Sequence, residues 1–361
     1  MDRFWGESAC VHVMPKEKFT KGFVDFTNDA FPGLDIWFIV YGPKTVGYVQ
    51  PIGDNVLFVE NVGSIAKDPV CNELLADSKL IILNWVNWRF AAELYRYHKK
   101  TLFLFWGLDL ENAVTASFPR RLGRAFLLRQ ARGFITLIPQ DRAKAETLSI
   151  KHGTWHLGMI IGSTRASVNS SKNQLCLDKQ RSPVRVLVGN SATPSNNHRA
   201  VFEMLSAYKD EAVEFLVPLS YGDDMYREEV LRLGNEILGR AFHPILGYMD
   251  KEAYQELLST VSVGVFNQHR QQGLGNITML MRTGGKVYVS KDGPMWDHFK
   301  SHGEAVYATE DIKGLSFGDF TAYSKEAAML NAKAKDVAAY YDEGCKRWSQ
   351  IYSDHGVGRV R

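Results

Sequence analysis

The sequence predicts an α/β protein built from two doubly wound parallel sheets. Short apolar runs alternate with helix-like stretches along the 361 residues, as in chains of βαβ units. The alternation stops at a polar segment, 163–181, and restarts after it. Apolar residues make up 45% of the chain, enough for the cores of two domains. Paired domains of this kind typically bind ligands in the cleft between them, at the carboxyl ends of the strands.

The first half predicts six strands and three helices. The apolar runs place strands at 9–14, 35–41, 56–59, 80–84, 101–106 and 134–137. Helical patterns occupy 20–30, 86–97 and a basic stretch that begins near Phe118. We expect this domain to span 1–165 and a linker to span 166–182.

The second half repeats the alternation. Strands are expected at 184–188, 213–218, 244–246, 261–266 and 286–290, and helices at 197–208, 225–238, 251–259 and 277–283. Asp250 is placed as the N-cap of the helix at 251–259. We expect a second domain over 183–335 and a closing helix within 336–361.

The composition argues against several protein classes. No apolar run approaches the ~20 residues of a membrane span. The first residues, MDRFWGESAC, lack the basic head and apolar middle of a secretory signal. The cysteines are far apart and form no CxxC pair, which argues against a zinc ribbon and a disulfide scaffold: they are Cys10, Cys71, Cys176 and Cys345. We therefore expect a cytoplasmic protein with reduced thiols.

A basic stretch without any acidic residue lies between Glu111 and Asp141. Its apolar side chains recur at helical spacing and are flanked by Arg120, Arg121, Arg124, Arg129 and Arg132. One interpretation is a helix that meets an anionic surface, either lipid headgroups or phosphates. The other is a packed helix with a solvated basic rim. Nucleic acid is not expected, because the net charge is only +3 and no RNP, zinc-finger or bZIP pattern appears.

A loop of small polar residues, VGNSATPSNNH at 188–198, joins a predicted strand to a predicted helix. Small residues let backbone N–H groups approach an anion, and the helix N-terminus adds partial positive charge. His198, in the first turn, is placed to donate to a phosphate or a leaving-group oxygen. The alternative is an ordinary loop with capping residues. The candidate binding residues of this loop are Gly189, Asn190, Ser191 and Asn196.

A second loop, HRQQGLGN at 269–276, also joins a strand to a helix. Arg270 supplies a positive charge, and the run offers hydrogen-bonding side chains and two glycines: Gln271, Gln272, Gly273, Gly275 and Asn276. It is not a dinucleotide-binding fingerprint, because no acidic residue ends a strand about 20 residues later. The chain has no P-loop motif either.

Asp109 follows an apolar strand in the segment FWGLDLE. A carboxylate at a strand's carboxyl edge is a candidate general base, with its pKa raised by apolar neighbours. The alternative is a helix N-cap. Four aromatic residues lie nearby in the sequence: Trp85, Trp88, Tyr95 and Tyr97. We expect them to be core and surface side chains; the alternative is that one of them stacks on a sugar.

Several of these motifs together resemble one bacterial family. They are VLVGNSATPSNNH at 186–198, VPLSYG at 217–222, RQQGLG at 270–275, PMW at 294–296 and WGLDL at 106–110. The family is glycosyltransferase family 56, the dTDP-4-acetamido-4,6-dideoxygalactose transferases of enterobacterial common antigen synthesis. The resemblance covers most of residues 180–300 and is thinner in the first half.

The resemblance implies a GT-B fold, in which two Rossmann-like domains face each other across a cleft. The N-terminal domain would hold the acceptor and the C-terminal domain the nucleotide-sugar, with no metal or other cofactor. By position, the first loop would line the donor diphosphate, the second loop would lie near the phosphates or the sugar, and Tyr221 and Gly222 near the nucleotide. The acceptor would be a polyprenyl-diphosphate-linked glycan at the cytoplasmic face of the inner membrane, with the arginine helix as the membrane contact.

The resulting hypothesis is a metal-independent glycosyltransferase of bacterial surface polysaccharide synthesis, for the common antigen, an O-antigen or another lipid-linked glycan. Arg270, loop amides and helix N-termini would stabilise the charge on the leaving diphosphate. Asp109 would deprotonate the acceptor hydroxyl if transfer inverts configuration, whereas the leaving phosphate can do so if it retains configuration. A UDP-linked or GDP-linked sugar is an open alternative to the dTDP-linked donor. Two alternatives are a non-catalytic two-domain ligand-binding protein and a GT-B enzyme with a soluble sugar acceptor.

Overall fold

The computed structural model describes residues 5–43, 53–148, 153–170, 182–322 and 324–358. The chain divides into two compact units: Met1–Ser171 with Val337–Arg361 form the first, and Lys172–Asp336 the second. Each unit contains one sheet whose described strand pairs are all parallel. The predicted α/β fold with two doubly wound sheets is therefore confirmed.

The first sheet has seven strands in the order β3-β2-β1-β4-β5-β6-β7. They are β1 (Cys10–Pro15), β2 (Ile36–Tyr41), β3 (Val56–Val59), β4 (Leu80–Asn84), β5 (Thr101–Leu104), β6 (Gly133–Thr136) and β7 (Thr154–Leu157). The central strands are almost wholly buried, as a parallel sheet covered on both faces requires. In register, Val11 of β1 lies between Trp37 of β2 and Ile81 of β4. The strand order reverses between β1 and β4, and such a switch point opens a crevice at the carboxyl ends of the strands.

Helices of the first unit pack on both faces of this sheet. They are α1 (Thr20–Ala30), α2 (Val62–Ile65), α3 (Pro69–Asp77), α4 (Trp88–Glu93), α5 (Leu108–Val114), α6 (Phe118–Gln130), α7 (Gln140–Glu146) and α8 (Arg165–Ser170), with a 3₁₀ helix at Tyr95–Lys100. Apolar side chains form two buried clusters, one on each side of the sheet. The sheet is therefore an interior layer, and its carboxyl edge is the part left for a ligand.

The second sheet has six strands in the order β10-β9-β8-β11-β12-β13. They are β8 (Val184–Val188), β9 (Val213–Pro218), β10 (Phe242–Ile245), β11 (Val263–Phe266), β12 (Lys286–Val289) and β13 (Tyr307–Ala308). Here the order reverses between β8 and β11, so the switch point lies beside the loops that follow these two strands.

The helices of the second unit connect these strands. They are α9 (His198–Leu205), α10 (Asp224–Leu238), α11 (Lys251–Ser259), α12 (Leu274–Arg282), α13 (Pro294–Ser301), α14 (Phe317–Thr321) and α15 (Lys325–Ala334), with 3₁₀ helices at Pro194–Asn196, Ser206–Tyr208, Gly239–Ala241 and Thr309–Gly314. The predicted cap of α11 is confirmed, because the Asp250 carboxylate accepts a hydrogen bond from the Ala253 backbone N–H at 2.7 Å.

The last helix, α16 (Val337–Asp354), returns to the first unit. Its Trp348 is fully buried and donates from Nε1 to the Met159 carbonyl at 2.8 Å. Tyr352 lies beside the buried His12 of β1, with 3.0 Å between its hydroxyl and His12 Nε2. The C-terminal helix thus completes the core of the N-terminal sheet.

The structure corrects several element predictions. Strands β7 and β13 were not predicted, because one is a half-exposed edge strand and the other has two residues. The helix expected at 86–97 is α4 followed by a 3₁₀ helix. Helix α12 begins at residue 274 rather than 277, because Gly273 adopts a left-handed conformation and starts the helix there. Within the expected linker at 166–182, residues 166–170 belong to α8 (Arg165–Ser170), while 171–181 lie outside the described residues.

Candidate functional site

The loops after β8 and β11 meet at the switch point of the second sheet. Both loops were singled out from the sequence, and the structure joins them by hydrogen bonds between side chains. Gln272 Nε2 donates to Asn190 Oδ1 and to Thr193 Oγ1, both at 2.9 Å. Its Oε1 accepts from Ser195 Oγ at 2.6 Å. Gln272 is 8% exposed and its amide is fully used, so it holds the two loops together.

A second amide, Gln268, braces the same loops and was not predicted. Its Nε2 donates to Asn196 Oδ1 at 2.8 Å, and the same oxygen accepts the Asn190 backbone N–H at 3.1 Å. Asn196 Nδ2 donates to the Ser191 carbonyl and to Thr193 Oγ1. Asn196 is therefore a buried brace of its own loop. The signal for Gln268 was its place two residues after an apolar strand.

Two glycines let the loops approach closely. Gly189 has φ +66°, and a Cβ there would lie 2.8 Å from Asn196 Oδ1. Gly222 has φ +128°, and a Cβ there would lie 2.2 Å from the Ala192 carbonyl oxygen. The neighbouring Tyr221 hydroxyl accepts from Asn190 Nδ2 at 3.0 Å. Both glycines are needed for the backbone geometry of the site.

His198 is the first residue of α9 and is fully buried. The Tyr226 hydroxyl lies 3.2 Å from its Nδ1 and 3.3 Å from its backbone nitrogen. Burial lowers the pKa of His198 to about 4, so the imidazole is neutral at neutral pH. Among the described residues, Nε2 has no hydrogen-bond partner. It lies 3.2 Å from the position a Cβ would take on Gly189, and thus beside the first loop.

The second loop supplies positive potential. Arg270 is 8% exposed and its Nη1 donates to the Gln271 carbonyl at 3.3 Å. Gln271 Oε1 accepts no hydrogen bond from any described residue. Gly273, with φ +69°, starts α12 without a side-chain cap, so the first amides of that nine-residue helix stay available.

Two of the residues predicted to bind the nucleotide-sugar, Asn276 and Gly275, differ from the others in what surrounds them. Asn276 Nδ2 donates to the Tyr254 hydroxyl at 2.9 Å, which ties α12 to α11. Burial raises the pKa of Tyr254, so this phenol stays protonated. A Cβ on Gly275 would meet nothing within 4 Å, and no steric reason for glycine exists there.

The arrangement can bind an anion. It combines one arginine, an uncapped helix N-terminus and a rigid polar loop with close backbone approach. Within the described ranges, no group of three or more His, Cys, Asp or Glu side chains is placed to hold a metal ion.

Asp109 lies in the first unit, at the carboxyl edge of its sheet. It is 3% exposed, and its oxygens accept three backbone N–H groups: Val86 at 2.8 Å, Trp106 at 2.9 Å and Leu110 at 3.0 Å. The N-cap alternative is wrong, because the N-cap of α5 is Gly107. Burial raises the pKa of Asp109 to about 6, against the lowering effect of those amides.

The arginine helix is α6, and only Leu128 of it is fully buried. Phe118, Leu122 and Phe126 are 75%, 55% and 51% exposed and lie four residues apart, so they share one outer face. Arg120, Arg121 and Arg129 are exposed. Arg124 instead donates to the Asn112 carbonyl and covers the Trp88 ring, so its predicted outward role is not favoured. No helix in the described part of the chain is long and apolar enough to cross a membrane.

Solved structures share this fold. HepE from Anabaena, in complex with UDP and glucose, matches with a TM-score of 0.66 at 12% identity over 96% of this chain and 99% of HepE. An E. coli trehalose-6-phosphate protein bound with UDP-2-fluoro glucose matches at 0.67 and 10% identity, over 96% and 99%. A UDP-forming α,α-trehalose-phosphate synthase from Burkholderia xenovorans, with glucose-6-phosphate, matches at 0.65 and 12%, over 96% and 99%.

A family model described as 4-alpha-L-fucosyltransferase, glycosyl transferase group 56, matches residues 95–352. The match covers more than half of the 361 residues and includes both candidate loops and Asp109. The chain therefore belongs to glycosyltransferase family 56 and is a glycosyltransferase with the GT-B fold.

Proposed function

We propose that this glycosyltransferase moves a 6-deoxygalactose-type sugar from a dTDP-linked donor to a lipid-linked glycan of a bacterial surface polysaccharide. The observation that supports a nucleotide-sugar donor is the pair of hydrogen-bonded loops after β8 and β11, at the switch point of the second sheet. HepE holds UDP, and the E. coli protein holds UDP-2-fluoro glucose, which supports a nucleoside-diphosphate sugar as donor. The family description names a fucosyltransferase, and fucose is 6-deoxygalactose, the parent of 4-acetamido-4,6-dideoxygalactose.

The loops would stabilise the leaving diphosphate. As the bond from the sugar C1 to the phosphate oxygen breaks, negative charge develops on that oxygen. Arg270 and the first amides of α12 supply positive potential, and neutral His198 can donate from Nε2. Because these groups are already held in place, they need little reorganisation during the reaction.

Asp109 is the proposed base for an inverting transfer. A pKa of about 6 leaves it ionised at neutral pH and more basic than an ordinary carboxylate. Its Oδ2 accepts only one of the three backbone hydrogen bonds, so a lone pair stays available for an acceptor proton. If transfer retains configuration, the leaving phosphate takes that proton and Asp109 only holds the turn.

The proposed acceptor is lipid-linked, and α6 is the proposed membrane contact. The outer face of α6 joins exposed Phe118, Leu122 and Phe126 to flanking arginines, which is the pattern of a helix at an anionic lipid interface. This surface supports a peripheral position at the inner membrane.

Donor binding is tested by thermal shift with dTDP, UDP, GDP and CDP, each with and without Mg²⁺. A ligand at 100 times its Kd stabilises the folded protein by about 2.7 kcal/mol. We expect dTDP to give the largest shift, equal with and without Mg²⁺, and Arg270→Ala to reduce it strongly. Arg240→Ala, on the 3₁₀ helix at Gly239–Ala241, is the matched control and should bind as the parent does. No shift with any nucleotide would contradict the donor site, and a larger UDP shift would contradict dTDP.

Membrane contact is tested by co-sedimentation with vesicles that contain anionic phospholipid, and with purely zwitterionic vesicles. The parent is expected to sediment with the anionic vesicles only. The triple variant Phe118→Ser, Leu122→Ser, Phe126→Ser should lose this binding, while the control Met225→Ser, 85% exposed in the other unit, should keep it. Equal sedimentation of both variants would rule out α6 as the contact.

A further inference from the structure

Three aromatic side chains gather at the switch point of the first sheet. Phe19 follows β1, Trp85 follows β4 directly, and Trp106 follows β5. These three strands are neighbours, and the strand order reverses between β1 and β4. The position is equivalent to that of the candidate donor loops in the second sheet, where ligands of doubly wound sheets bind.

Trp85 is held in a conformation that a tryptophan rarely adopts. Its φ is +55°, and apart from Asn197 it is the one residue other than glycine with positive φ in the described ranges. Its backbone N–H donates to the Leu104 carbonyl at 3.2 Å, and the next N–H, of Val86, donates to Asp109 at 2.8 Å. The surrounding structure thus imposes a strained backbone, and such strain concentrates at binding and catalytic sites.

The strain does not place the indole in the core. Trp85 and Trp106 are half-buried and Phe19 is 43% exposed, so all three present apolar surface at the edge of the sheet. Trp106 lies in the middle, with its ring centre 5.7 Å from Trp85 and 6.0 Å from Phe19, both edge to face. The cluster therefore leaves part of its ring surface accessible, and it contains one buried donor, Trp106 Nε1, that has no acceptor among the described residues.

Polar groups converge on the same edge. The pKa of Tyr41, at the end of β2, is raised by burial and by the nearby carboxylates of Asp109 and Glu17. The charges of both carboxyl groups thus act on the Tyr41 phenol, and Asp109 also accepts the backbone N–H of Trp106, one of the three aromatic residues. Ring faces pack on the C–H faces of sugars, while hydroxyl and carboxyl groups hydrogen-bond to sugar hydroxyls.

We propose that Phe19, Trp85 and Trp106 form a sugar-binding site in which a pyranose ring packs on the accessible part of the half-buried Trp85 indole. That this sugar belongs to the acceptor glycan rests on the proposed function, whereas the site itself does not. Besides its proposed role as a base, Asp109 also positions Trp85, because it holds the strained turn through the Val86 backbone N–H.

Trp85→Gly is the decisive variant, because glycine adopts positive φ without cost and the turn should survive. The probes are methyl glycosides of common hexoses and N-acetylhexosamines at tens of millimolar, detected by saturation-transfer NMR without any nucleotide. The parent is expected to bind at least one of them, and Trp85→Gly to weaken that binding about tenfold, the loss of one aromatic contact. Trp85→Phe should retain most of it. Trp155→Phe, on edge strand β7, is the control and should bind as the parent does.

The outcomes separate the two proposals. Sugar binding that falls in Trp85→Gly supports the site even if no nucleotide binds the second unit. Sugar binding that is unchanged in Trp85→Gly, or no binding of any probe by the parent, overturns the site even if dTDP binds. Where transfer activity is present, Trp85→Gly should raise the acceptor KM about tenfold and leave the donor KM within about twofold.

Discussion

Asp109→Asn should change how the stability of the first unit depends on pH. The buried carboxyl has a pKa of about 6 in the folded chain, against 3.8 for the ordinary group. Between those values the folded state holds a proton that the unfolded state has lost. The free energy of unfolding therefore falls as pH rises through this window, and it is level above about pH 6.

The magnitude follows from the shift. Each pKa unit corresponds to about 1.4 kcal/mol, so the raised pKa removes about 3 kcal/mol of stability between pH 4 and pH 7. Asparagine keeps the shape but has no proton to titrate, and it loses at least one of the three backbone hydrogen bonds. The variant should be less stable than the parent near pH 4. Its stability relative to the parent should then rise by about 3 kcal/mol by pH 7.

Urea unfolding followed by tryptophan fluorescence measures this difference. Seven of the eight tryptophans, all but Trp296, lie in the first unit, so the signal reports on it. Ala113→Gly, on the same helix and fully buried, is the control, with a loss of about 1 kcal/mol at every pH. A stability difference for Asp109→Asn that is flat with pH, or that falls as pH rises, would refute the raised pKa.

Three further results are expected. Gly222→Ala places a Cβ 2.2 Å from the Ala192 carbonyl oxygen, whereas Gly239 also has positive φ but has open space where a Cβ would lie. Gly222→Ala should therefore lower Tm clearly more than Gly239→Ala, and equal melting curves would contradict the close approach. Gln268→Ala removes the brace of the first loop and should weaken dTDP binding about tenfold in calorimetry, and an unchanged Kd would make the brace irrelevant. His198 has a pKa of about 4 against 6.5 for the ordinary group, so the stability it contributes is present above pH 6.5 and is lost as pH falls towards 4. In circular-dichroism melts, His198→Gln should therefore reduce the loss of Tm between pH 6.5 and pH 4, and an unchanged loss of Tm would contradict a buried neutral imidazole.

The roles of particular side chains show where sequence reasoning stops. Asp109 was recognised as a carboxylate at a strand edge, but its three amide partners come from two turns that only the sheet brings together. Asn196 was predicted as a ligand contact, whereas in the structure its side chain braces its own loop; the brace from Gln268 was not predicted, and the only signal for it was its position two residues after an apolar strand. On α6, Arg124 turns inward to Trp88 although its spacing matches that of its neighbours. The roles of Asp109, Gln268 and Arg124 each depend on a partner distant in the chain, whereas Asn196 also bonds within its own loop.

The sequence alone predicted the alternation, eleven of the thirteen described strands and the two small-residue loops, because burial period and turn chemistry are local properties of the chain. The tertiary structure decided the strand order, and with it which loops lie at the two switch points. It also decided the strained backbone of Trp85, since no local preference favours positive φ for tryptophan and only the packed edges of β4 and β5 hold it there.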